Sequence, residues 1–140
     1  MNSQKLYTKL LWYTVITIWI LLVLHLIAMK FHLYWLFDWF DILMHGLGGI
    51  VVGLFMAALL VKVKPVLKKH LGLFIFLILA GTVLVGLLWE SLELFLDLYM
   101  KTTIHQPSVS DTILDLIMDG AGALVASVLA VVTIQKYGKN

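Results

Sequence analysis

The sequence predicts an all-α integral membrane bundle of four transmembrane helices, with the N and C termini cytoplasmic. Three observations carry this expectation. Of 140 residues, 62% are hydrophobic and 13% charged, at a mean hydropathy of +1.03; a soluble domain carries about 25% charged residues. Four apolar stretches each reach the roughly 20 residues that a spanning helix needs. The lysines gather at alternate ends of these stretches. The length allows one domain, 1–140, and the composition excludes a disordered chain and an ordinary soluble globule.

The first span is expected from about Leu6 to Met29. It is too long, and too poor in small residues at its end, to read as a cleaved signal peptide. The connection from Lys30 to Phe40 is aromatic, with Phe31, Tyr34, Trp35, Phe37, Trp39 and Phe40, and reads as an interfacial belt. The second span follows from Asp38 or Asp41 to Val61. Pro65 breaks the helix within the next connection, Lys62 to Lys69. The third span runs from about Leu71 to Leu98. Thr102 to Ser110, containing Pro107, leads to the fourth, from about Asp111 to Ile134.

Lysine placement sets the orientation. Lys5, Lys9, Lys62, Lys64, Lys68, Lys69, Lys136 and Lys139 share one side, and only Lys30 and Lys101 the other. This is the positive-inside pattern. The expected location is therefore the plasma (inner) membrane with a cytoplasmic lysine face. The sequence pI of 8.9 reflects these membrane-edge lysines and calls for no nucleic acid partner. There is no cysteine, which excludes disulfides, thiolate metal sites and a catalytic thiol.

All eight acidic residues fall in the outer half, as do His25, His32, His45 and His105. Asp38, Asp41 and His45 stand at i, i+3, i+7, and Glu90, Glu93 and Asp97 repeat that spacing. Asp111, Asp115 and Asp119 stand at i, i+4, i+8. Each set occupies one helix face. At about 1.5 Å per residue, His45, Glu90 and Asp119 lie roughly 10–15 Å below the outer interface.

An ionised acid at the bilayer centre costs about 2.5–3.5 kcal/mol even on the lenient insertion scale. The carboxylates are therefore expected to face one another inside the bundle, where they need a cation or shared protons. With no arginine and only two lysines in that half, the simplest partner is one or two divalent metal ions. Carboxylates with imidazole suit Zn, Mn, Fe, Mg or Ca. His45, Glu90, Glu93, Asp115 and Asp119 are the expected metal ligands. Asp41 and Asp111 are the candidate catalytic residues, as general base or as supports of the ligands.

Simpler roles compete at the edges of this set. Asp38 suits a helix N-cap, with Asp41 three residues on completing a capping-box-like arrangement, Asp111 suits a first turn through the helix dipole, and Asp97 suits a hydrated interface. His25 serves equally as a ligand or as a hydrogen-bond partner to a neighbouring helix; His32 and His105 read as loop residues, with a lean of His105 over the site as the alternative. The glycines read as packing: Gly46, Gly48, Gly49 and Gly53 after His45, and Gly120, Gly122 and Ala126 after Asp119, would bring the second and fourth spans together beside the acids.

Asp41-x-x-x-His45-x-x-Gly48, then Glu90-x-x-Glu93, then Asp111-Thr-x-x-Asp115-x-x-x-Asp119-x-x-Gly122 resembles the VanZ-like group of small membrane proteins. It is most similar to the YjdF-like branch. The resemblance covers the last three spans, roughly residues 38–130. Glu93 stands where the VanZ-like pattern has Gln, Asp119 where it has Asn, and its arginine is absent; these departures argue against glycopeptide resistance. The resemblance implies a polytopic membrane protein with polar residues clustered at one membrane face.

Three function classes follow. The first is a metal-dependent membrane hydrolase or other lipid-modifying enzyme, whose partner is a membrane lipid or lipid-linked substrate. The second is a cation- or proton-coupled transporter. The inner halves of the spans offer only hydroxyls such as Thr14, Thr17, Thr82, Ser127 and Thr133, so a through-path would need a homo-oligomer. The third is a non-enzymatic binding or resistance protein.

Overall fold

The computed structural model describes residues 3–37, 39–100 and 109–137. Five α-helices occur there: α1 (Ser3–Phe31), α2 (Leu33–Leu36), α3 (Trp39–Val63), α4 (Leu71–Met100) and α5 (Val109–Tyr137). A 3₁₀ turn, Pro65–Lys69, joins α3 to α4, with proline at its first position. α1, α3, α4 and α5 are long and apolar enough to cross a membrane. Asp38, His105 and Pro107 lie outside the described residues, as does the Asp97 side chain.

The helices run past their expected ends. α1 reaches Phe31 and α5 reaches Tyr137; lysine is a good helix former, and Lys30 and Lys136 carry the last turns past the apolar stretch with each ammonium near the ring of Phe31 or Tyr137. The aromatic connection is also partly helical. His32 takes a left-handed turn at φ 55°, and α2 follows as one turn.

α3 and α5 form the central pair. α1 packs on α3, and α4 packs on both α3 and α5. Lipid offers no hydrophobic force between apolar helices, so close approach depends on small residues. A Cβ on Gly49 would strike the Asp119 backbone, one on Gly53 would meet Ala126 Cβ at 2.7 Å, and one on Gly122 would meet Ile50 N at 2.7 Å. Gly48 and Gly120 face open space instead, so those two expected packing positions are not part of the contact.

The two ends of the bundle are filled differently. At the lysine end Leu6, Leu10, Val61, Phe74 and Ile78 are fully buried around Ala57, Ala58 and Ala130. At the other end a smaller apolar cluster, Ala28, Phe40 and Met44, sits beside the acidic side chains.

Candidate functional site

The end of the bundle away from the lysine-rich termini is organised around His45. α3 carries Asp41 and His45 one turn apart, α4 carries Glu90 and Glu93, and α5 carries Asp111, Asp115 and Asp119. His45, Glu90, Asp115 and Asp119 are 8%, 7%, 2% and 6% exposed, so the centre of the cluster is closed. Asp41, Glu93 and Asp111 are half-buried on its rim.

Both imidazole nitrogens face carboxylates. His45 Nε2 lies 3.6 Å from Glu90 Oε1, and Nδ1 lies 3.5 Å from Asp119 Oδ1. Ligand atoms of His45, Glu90 and Glu93 fall within 4.8 Å of one another, as do those of Asp41, His45 and Asp115. Four of the five expected ligands therefore sit in groups of metal-binding size. Asp119, the fifth, meets the imidazole through Nδ1 but belongs to neither group. Asp41, expected in a catalytic or supporting role, belongs to one of them. Asp111 stands one turn above Asp115, outside both.

Backbone geometry makes this convergence fit. The glycine contacts of α3 with α5 place Asp119 directly beside α3. On α4, a Cβ at Gly86 would collide with the Asp119 carboxylate, so Gly86 leaves the space that Asp119 fills. One turn on, Thr112 Oγ1 donates a 2.9 Å hydrogen bond to Glu90 Oε2, leaving Oε1 turned to His45.

The electrostatics are unbalanced. Glu90 Oε1, Asp115 Oδ1 and Asp119 Oδ2 are buried without a hydrogen-bond partner. Buried polar atoms rarely stay unsatisfied. A neutral imidazole has one N–H, so it cannot donate to Glu90 and Asp119 together. Either further protons enter the cluster or a cation does.

His25 is not part of the cluster. Its Nδ1 shares a 2.8 Å hydrogen bond with the Tyr34 hydroxyl, which realises the partner reading. Burial pushes the Tyr34 phenol up to about 12, with the nearby Asp41 and Glu93 charges adding to it. Tyr34 therefore stays a neutral phenol at the cluster's edge. The parts that Tyr34, Gly86 and Thr112 play at the site are not evident from the sequence. Gly86 had a signal: glycine inside a helix costs about 1 kcal/mol, so its place four residues before Glu90 asks for a reason. Thr112 stands inside the Asp111–Asp115 motif, but only its contact reveals its role.

A membrane bundle enclosing a buried Asp/Glu/His cluster is thus the class of protein that fold and site define. The chain belongs to the family described as "Predicted membrane protein (DUF2238)", whose model matches residues 3–136. No curated protein and no solved structure gives a significant match.

Proposed function

We propose that the cluster binds one or two divalent metal ions, and that the protein is a metal-dependent membrane enzyme acting on a lipid or lipid-linked substrate. One observation carries this reading: three buried carboxylate oxygens without a hydrogen-bond partner surround a buried imidazole. A divalent cation answers that imbalance with one ion, and the donor set suits Zn, Mn, Fe, Mg or Ca. His45, Glu90 and Glu93 would hold it, with Thr112 fixing Glu90. Asp41 and Asp115 offer a second set with the same imidazole. Asp119 at Nδ1 would orient the ring and select its tautomer, as carboxylates beside ligating histidines do. A bound ion would supply Lewis acidity or an activated water, and Asp41 or Asp111 on the half-open rim would take the proton.

The lysine distribution supports cytoplasmic termini and a cluster on the extracytoplasmic side of the plasma membrane, within reach of headgroups. The order of the acidic motifs supports kinship with the VanZ-like group and its YjdF-like branch.

Metal-loaded protein incubated with extracted membrane lipids should yield a mass-shifted lipid, and His45→Ala or chelation should abolish it. A proton-coupled transporter is the second reading, favoured by carboxylates at both nitrogens of one imidazole. Unchanged lipids, with cation-dependent acidification of proteoliposomes lost in His45→Ala, would replace the first reading with the second. Neither activity would leave a non-enzymatic binding protein.

A further inference from the structure

At the opposite end of the helices, α1, α3 and α5 leave a groove of about 340 Å³ between them. Its α5 residues, Leu129 to Tyr137, lie about 15–27 Å along the helix from Asp119, and none of its lining belongs to the His45 cluster. Its walls are apolar: Ile16 on α1, Leu54 on α3, Leu129 and Val132 on α5. Thr17 and Thr133 also line it, but each hydroxyl bonds its own helix, to Tyr13 O at 2.8 Å and to Leu129 O at 2.6 Å. The threonines therefore have no demand for a polar guest.

The mouth is cationic. Lys136, Tyr137 and Tyr13 form its rim. Lys9 Nζ stands 3.6 Å from the Tyr137 ring centroid and Lys136 Nζ 5.4 Å from the same centroid. Two ammonium groups drawn to one ring repel each other, and Asp41, Glu90, Glu93, Asp111, Asp115 and Asp119 are all at the far end. An anion at the mouth would relieve that repulsion, and an acyl chain would cover the apolar walls. Basic pockets between spanning helices suit anionic headgroups.

We propose that this groove binds an anionic phospholipid, its phosphate between Lys9 and Lys136 and one acyl chain along Ile16, Leu54, Leu129 and Val132. The site is independent of the metal reading and needs no metal.

The test is native mass spectrometry of the detergent-solubilised full chain with phosphatidylglycerol or phosphatidylcholine. One bound phosphatidylglycerol is expected, with clear preference over phosphatidylcholine. Removing both charges in Lys9→Gln/Lys136→Gln should weaken it about 30-fold. Leu129→Trp, which fills the groove and keeps both lysines, should also displace it. Lys64→Gln/Lys69→Gln removes the same charge elsewhere and should leave it bound. Equal loss in both lysine pairs, retention in Leu129→Trp, absence of headgroup preference, or full displacement by soluble glycerol 3-phosphate would each overturn the proposal.

Discussion

The two ends of this bundle solve the same packing problem with opposite chemistry. At the lysine end Phe74, Ile78, Leu10 and Val61 fill the space between helices, and the buried hydroxyls of Thr14, Thr82 and Thr133 bond the backbone one turn back. At the acidic end the same α3, α4 and α5 bury His45, Glu90, Asp115 and Asp119 and leave three carboxylate oxygens without a hydrogen bond. The first end buries no carboxylate; its one buried polar atom without a hydrogen-bond partner among the described residues is the neutral Ser127 hydroxyl. The second is complete only with an added cation or added protons, and glycines hold its helices close despite the charge. A protein that needed only to span a membrane would have no use for that difference.

The comparison breaks most visibly where the helices touch. Gly122→Val would push a side chain against Ile50 N and Gly49 C, which a Cβ alone already meets at 2.7 and 2.9 Å. A loss of about 3 kcal/mol is expected, read as a fallen thermal midpoint and a broadened size-exclusion peak. Gly120→Val points into open space and should stay within about 0.5 kcal/mol.

Glu90→Gln should act with opposite sign in two conditions. In chelator-stripped protein it removes one charge from a crowded set and should raise the midpoint, by on the order of 1 kcal/mol. With metal present it should erase a stabilisation of about 2.7 kcal/mol, the value expected at 100-fold excess over Kd. Phe74→Ala, at the lysine end, should lower the midpoint equally with and without metal. A Phe74 variant whose loss depended on metal would remove the distinction between the two ends.

Thr112→Val deletes the donor to Glu90 Oε2. It should cost about 1 kcal/mol of stability and at least about tenfold in metal affinity, measured by calorimetric titration. The smallest effect belongs to His32, whose φ of 55° glycine adopts freely. His32→Gly should raise the midpoint slightly, by about 0.5 kcal/mol.

Much of the site was legible because a charged residue inside an apolar helix has few places to go. The i, i+3, i+7 and i, i+4, i+8 spacings identify the faces, and equal depth identifies the meeting level. The small-residue stripes identify α3 and α5 as the pair in closest contact. Spacing does not fix rotamers, however. Which ring nitrogen Asp119 meets, and that Asp41 joins a ligand-sized group, are set by the side-chain rotamers in the folded bundle. The partner of His25 was hidden because Tyr34 sits on α2, a one-turn helix inside a segment read as an aromatic belt. Gly48 and Gly120 misled because a glycine's spacing marks a face only when that face meets another helix.

The central claim is that the acidic end is built for a divalent ion. Metal content by mass spectrometry, on protein purified without chelator beside His45→Ala and Glu90→Ala, tests it most directly. The account predicts stoichiometric divalent metal in the native protein and its loss in both variants. Metal-free native protein that also fails to take up added Zn, Mn, Fe, Mg or Ca would contradict it and leave shared protons to balance the carboxylates.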